Sequence, residues 1–173
     1  MKTIFLIGFM GSGKSTVGRL LGELLGMEFL DTDVEIEKQE GKSINEIFGD
    51  NGEKWFRDLE TAALETMPER DTVVSTGGGA IQRGCNRKLM KEKGTVIFLD
   101  TPAEEILVRL KGDKSRPLLQ GNKEQEVRDR LAGRMPFYLE TADICISTSG
   151  KTPAEIAEEL ISSLKERGLG HTC

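Results

Sequence analysis

Gly8-Phe9-Met10-Gly11-Ser12-Gly13-Lys14-Ser15-Thr16 is the stretch on which the reading of the chain turns. It fits G-x-x-x-x-G-K-[ST], the phosphate-binding loop pattern, with Gly8, Gly13, Lys14 and Ser15 at the fixed positions. An apolar run, Ile4-Phe5-Leu6-Ile7, precedes it and reads as a buried strand. After it, Val17, Leu20, Leu21, Leu24 and Leu25 form one stripe of a helix. A strand, a glycine loop and a helix N-terminus bring backbone N–H groups to bear on phosphate oxygens. Lys14 adds a point charge for the outer phosphates, and the Ser15 hydroxyl is a ligand for Mg²⁺.

The flanking chain is consistent with such a loop. With 173 residues, 37% hydrophobic and 31% charged, it reads as one globular α/β domain. A net charge of −5 argues against a nucleic-acid binder, though not against a local basic pocket. Cys85, Cys145 and Cys173 are far apart and show no metal-site spacing, which points to a reducing cytoplasm. No signal peptide is evident, and no apolar run is long enough to span a membrane.

Downstream of Gly26, residues 27–33 read as a short strand ending in Asp31 and Asp33, whose side chains then share one face. A strand end is where sites form in open α/β sheets. Asp33 as a helix cap explains one aspartate but not both. Gly41 stops the next helix, and Ser43-Ile44-Asn45-Glu46 reads as a capping box. Another helical stretch runs from Gly52 to about Met67. In it, Arg57 and Glu60 lie one turn apart, a spacing most often met in solvated surface pairs. Trp55 reads as packing. Beyond Pro68, residues 72–76 form a β-branched strand that runs into Gly77-Gly78-Gly79-Ala80. A strand-to-helix junction of three glycines favours ligand contact over a hairpin turn.

Residues 95–100 form another buried strand, and its terminal Asp100 competes with Asp31 as a metal-side carboxylate. Thr101-Pro102-Ala103-Glu104 and Thr152-Pro153-Ala154-Glu155 both read as capped helix starts. Lys111 to Lys123 is polar and basic, with Gly112 and Gly121 near its ends. Composition leaves a flap over a site and a plain surface loop equally open, with Arg116 as the candidate phosphate-neutralising arginine. The next helix reaches Arg134 and is expected to break at Met135-Pro136-Phe137-Tyr138. Residues 143–147 are a fifth strand, and a final helix fades at Gly168. His171, the only histidine, sits in the tail, so any catalytic base is expected to be a carboxylate.

Taken together, these motifs resemble the shikimate kinase family, within the nucleoside-monophosphate-kinase-like group of phosphate-loop folds. The resemblance is co-linear from Lys2 to about Leu164. It rests on Gly8 to Thr16, Leu30-Asp31-Thr32-Asp33, Phe56-Arg57 with Glu60, Gly77 to Ala80, Arg116-Pro117-Leu118-Leu119, and Arg134 with Tyr138. It implies a three-layer α/β/α fold with a five-stranded parallel sheet in order 2-3-1-4-5. It also implies a substrate segment near residues 32–60 and a mobile lid near 111–123. The implied reaction is ATP-dependent phosphorylation of the shikimate 3-hydroxyl, by a cytoplasmic monomer with one Mg²⁺ per subunit. The resemblance gives the ATP phosphates to Gly11, Ser12, Gly13, Lys14, Ser15, Thr16 and Arg116, and the adenine pocket to Arg109 and Lys151. Ser15 ligates Mg²⁺, and Asp31 acts on it through water. Asp33 holds the ring hydroxyls and accepts the proton of the reacting one. Arg57 and Arg134, with Gly77, Gly78 and Gly79, hold the carboxylate. Asp100 has no role in the family pattern. A gluconate-type kinase is the nearest rival, and a GTP switch protein lacks support because Asn122-Lys123-Glu124-Gln125 is not a guanine motif.

Overall fold

The computed structural model describes residues 1–111 and 123–168. Five strands form one parallel sheet in the order β2-β3-β1-β4-β5: β1 (Thr3–Ile7), β2 (Glu28–Asp31), β3 (Thr72–Ser75), β4 (Gly94–Asp100) and β5 (Ile144–Ser147). The order expected from the resemblance is the order found. β1 is central, with Ile4 beside Val73 on one flank and Thr95 on the other.

Alternation along β1 explains the layers, because successive side chains of a strand face opposite sides. Ile4 and Leu6 pack with Val73, Ile97, Leu99 and Ile146 against α1 (Lys14–Leu25) and the last helix, Pro153–Glu166. Phe5 and Ile7 pack with Val74, Val96 and Phe98 against the opposite layer. That layer holds α2 (Thr32–Glu40), α3 (Ile44–Thr66) and α4 (Gly84–Lys93). Two further helices, α5 (Ala103–Leu110) and α6 (Lys123–Thr141), flank the phosphate loop through Phe9, Met10, Ile106, Leu110 and Val127. The helix Pro153–Glu166 is α7.

Several local expectations are corrected. The strand ends at Asp31, so Asp33 lies in the first turn of α2 and the two carboxylates do not share a strand face. The cap is Asp31, whose Oδ1 accepts from the N–H groups of Asp33 at 2.9 Å and Val34 at 3.3 Å. Ser43 forms the expected capping box with Glu46, and the break expected at Gly52 is found as a kink within α3, where φ is 83°. Trp55 is 47% exposed rather than packed. α6 passes through Pro136 without ending, and Tyr138 is fully buried within it, stacked on Phe98.

The two Thr-Pro-Ala-Glu segments also part company. Thr152 caps α7 in a full capping box with Glu155. Thr101 caps nothing. It is buried, its hydroxyl 2.6 Å from that of Thr148 and 3.4 Å from the Ser12 carbonyl, and so it ties the phosphate loop to the end of β5.

Candidate active site

A cleft of about 700 Å³ opens at the C-terminal ends of β1, β2 and β3. This is the position the parallel topology favours for a ligand. Its two ends differ in construction.

At one end is the loop between β1 and α1. Gly8, Gly11 and Gly13 take φ values of 156°, 77° and 88°, so the chain can wrap a volume with its own backbone. Lys14 is nearly buried. Its Nζ donates to the carbonyls of Gly8 at 2.8 Å and Phe9 at 2.9 Å, which holds the ammonium against the loop. Ser15 Oγ donates to Asp31 Oδ2 at 2.6 Å and lies 3.2 Å from Ser75 Oγ. Thus β2 and β3 deliver two more oxygens to the start of α1. Arg109 of α5 donates to the Gly11 carbonyl at 2.8 Å, and Lys151 pairs with Glu159 at 2.7 Å. Both line this end, together with Gly11 to Thr16.

At the other end, side chains from α2, α3 and α6 surround the turn Gly77–Gly79. Gly77 is tied to α2 by its N–H, which donates to Thr32 Oγ1 at 3.1 Å. Arg57 is 7% exposed and Glu60 1%, with Nη1 of the arginine 2.5 Å from Oε1 of the glutamate. The pair expected on the surface is therefore an interior one. The second Glu60 oxygen and Arg57 Nε have no hydrogen-bond partner among the described residues. Burial pushes the Glu60 carboxyl up to about 7, against the pull of the Arg57 charge and hydrogen bond; the Asp33 carboxylate pushes the same way as burial. Arg134 is 3% exposed. Its Nη1 donates to the Gly78 carbonyl at 3.3 Å, and its guanidinium lies over the Phe9 ring at 5.2 Å. Tyr138, one turn further along α6, donates to the same carbonyl at 2.9 Å, and burial pushes its hydroxyl up to about 12.

The glycines are a steric condition for this arrangement. A Cβ on Gly79 would run into the Arg57 guanidinium, and one on Gly77 into Glu60 and, at 3.0 Å, Asp33 Oδ1.

Asp31, Asp33, Arg57, Arg109, Arg134, Lys151, Gly77, Gly78, Gly79 and the loop residues 11–16 thus line one cleft. Asp100 is exposed, does not line it, and offers only its carbonyl to Thr148. Arg116 and most of the segment 111–123 lie outside the described residues. Sequence reasoning missed Glu60 as a cleft residue; the i, i+3 spacing to Arg57 was visible, but its burial was not. It gave no part to Tyr138, although its i+4 spacing from Arg134 signals a shared face.

A phosphate loop set opposite an enclosed cationic pocket, within one cleft at the strand ends, defines a phosphate-loop kinase acting on a small molecule. Comparison narrows the class. Residues 10–165 match the family model described as shikimate kinase. The chain is 50% identical over 166 residues to the shikimate kinase of Persephonella marina, covering 95% of this chain and all of that one. It is 47% identical to that of Chromohalobacter salexigens, over 95% and 93% of the two chains. The solved shikimate kinase of Acinetobacter baumannii in complex with shikimate superposes with a TM-score of 0.94 at 44% identity, over 98% and 96%. A gluconokinase from Sinorhizobium meliloti, at 21% identity and a TM-score of 0.59, shares the fold alone. The chain belongs to the shikimate kinase family.

Proposed function

We infer that this cleft transfers the γ-phosphoryl group of ATP to the 3-hydroxyl of shikimate. The products are shikimate 3-phosphate and ADP, in the pathway to chorismate and the aromatic amino acids. This is the family's reaction. The observation that carries the assignment to this cleft is the pair Arg57 and Arg134. Two guanidiniums from different helices, each less than a tenth exposed, flank one glycine turn with Asp33 beside it. Glu60 pairs with Arg57, but burial disfavours its charge, so two buried guanidiniums share little negative charge and a planar carboxylate matches their geometry.

The roles divide by position. The amides of Gly11 to Thr16 and the Lys14 ammonium hold the phosphates, while Arg109 and Lys151 line the adenine side. Arg57, Arg134 and the turn Gly77–Gly79 hold the acceptor's carboxylate. Asp33 orients its ring hydroxyls and takes the proton of the reacting one. Arg116, outside the described residues, is assigned to the transferring phosphate and the segment near 111–123 to the lid. Residues 32–60 form the acceptor segment of a single domain.

The donors at the start of α1 fit Mg²⁺, which takes hard oxygens and keeps several waters. The Ser15 hydroxyl and Asp31 Oδ2, both hard oxygen donors, are adjacent at 2.6 Å. Ser15 would hold one ion directly and Asp31 through water. When bound, the ion supplies charge neutralisation of the phosphate oxygens. Cytoplasmic location and a monomeric state belong to the same reading; no described helix is long and apolar enough to cross a membrane.

A coupled ADP-release assay across shikimate, quinate, gluconate and nucleoside monophosphates tests the assignment. Turnover is expected with shikimate; preference for gluconate or a nucleotide acceptor would overturn it.

A further inference from the structure

Gln82 closes the 3₁₀ turn Ala80–Gln82 that follows the three glycines, and it is not among the residues lining the cleft. With its amide oxygen turned toward α6, that oxygen accepts from both Nε and Nη2 of Arg134, each at 3.0 Å. The opposite orientation would set the amide NH₂ against a guanidinium, donor against donor. The turn that carries Gln82 is itself anchored from α4. Asn86 Nδ2, buried, donates to the Ala80 carbonyl at 2.9 Å. Arg87 Nη1 donates to the carbonyls of Ile81 at 2.9 Å and Gln82 at 3.1 Å. The Arg87 guanidinium in turn lies 4.3 Å over the Phe137 ring of α6, between Arg134 and Tyr138 in sequence. Two side chains of α4 therefore fix the turn against the helix that bears Arg134.

The count of N–H groups shows what this does. A guanidinium has five, in a rigid planar fork. Gln82 engages the one on Nε and one on Nη2, and the Gly78 carbonyl engages one on Nη1. The rest of the fork is its terminal end, where the Tyr138 hydroxyl also meets the guanidinium and where a carboxylate binds in bidentate fashion. The plane of the fork is fixed from the side while the Phe9 ring lies against its face.

We propose that Gln82 is a positioning residue for acceptor specificity, acting through Arg134: it orients the guanidinium so that its terminal end meets the acceptor's carboxylate. This rests on the reading of Arg134 as a carboxylate ligand. Gln82 does not line the cleft, so its effect is confined to acceptor binding.

The test is steady-state kinetics of the parent, Gln82→Ala and Gln82→Glu, with shikimate and with its methyl ester. Gln82→Ala is expected to raise KM for shikimate about three- to tenfold, less than the full worth of a hydrogen bond to a charged group because Gln82 acts only through Arg134. It should leave kcat and KM for ATP within twofold, by the same estimate. The methyl ester carries no carboxylate charge, so its KM should be the same in parent and Gln82→Ala. Gln82→Glu keeps the acceptor oxygen but adds a charge that competes with the substrate, so KM for shikimate should rise further, and more at neutral than at acid pH. The side chain of Gln82 is exposed, so the variants should melt with the parent. An unchanged KM for shikimate in Gln82→Ala, or an equal rise for the ester, would overturn the proposal. Failure of the parent to phosphorylate shikimate would instead overturn the functional reading beneath it.

Discussion

The two ends of the cleft grip in opposite ways. The phosphate loop is one run of nine residues, and what it presents is mostly backbone. The acceptor end gathers side chains from α2, α3 and α6 around the glycine turn, and they lie as far apart in the chain as Asp33 and Arg134. A backbone cradle needs only glycines and a helix start, so it is local. A pocket for one small anion needs several charges at fixed angles, with water excluded. Only long-range packing supplies both, and here packing buries Glu60 and both arginines.

The sharpest break of this comparison is at Asp33. Asp33→Asn keeps the shape but removes proton acceptance, so kcat should fall about 10²–10⁴-fold with little change in either KM. A near-normal kcat would reduce Asp33 to a structural part of α2. Next comes Lys14→Met at the opposite end. It should lower kcat about 10²–10³-fold, in the range seen when one charge-stabilising donor is removed. Its circular-dichroism spectrum should match the parent, and a collapsed one would show that the loop lysine holds the fold rather than the phosphates.

Smaller effects separate the two ends more finely. Arg57→Ala and Arg134→Ala each remove a charge-assisted contact of about 1.5–3 kcal/mol, so KM for shikimate should rise roughly ten- to hundredfold. KM for ATP should stay near that of the parent, and a shared rise would mean the ends are not independent. The mildest expectation concerns Glu60. Its carboxyl is raised from an ordinary 4.5 to about 7 in the folded chain, mainly by burial. The folded state therefore holds a proton that the unfolded state has released. Stability is fully present below 4.5 and falls as pH rises through about 7. Glu60→Gln removes the titrating group, so its Tm should fall less than the parent's over that window; parallel Tm curves would assign the decline to another group.

How much was legible in the sequence follows the same division. The phosphate loop and the strands were readable because glycine spacing and apolar runs are local marks, and the sheet order came with the family resemblance. The errors came where distant chain decided. Asp31 and Asp33 looked like strand neighbours because residues 27–33 carry no stop signal, yet Asp31 turns the chain by capping α2. Pro136 looked like a break. α6 continues through it, with Tyr138 buried beyond it and stacked on Phe98 of β4. Arg57 and Glu60 looked like a surface pair because their spacing is the same on either face of a helix. Thr101 and Thr152 head identical tetrapeptides, and only the position of Thr148 makes one a buried strut and leaves the other a cap.

The central place of β1 has a consequence for how the chain is made. Thr3–Ile7 leaves the ribosome well before its neighbours, since Ile4 pairs with Val73 and Thr3 with Gly94. At synthesis rates of about 5–20 residues per second, the strand waits on the order of ten seconds for a partner on either side. α1 follows within that time and packs on the face of Ile4 and Leu6, while Phe5 and Ile7 belong to the opposite layer. The most apolar strand in the sheet is thus a one-sided, unpaired edge in the nascent chain, the form in which strands associate with the wrong neighbour. The segment that makes the phosphate loop possible is also the one most exposed to misassembly before the protein is complete.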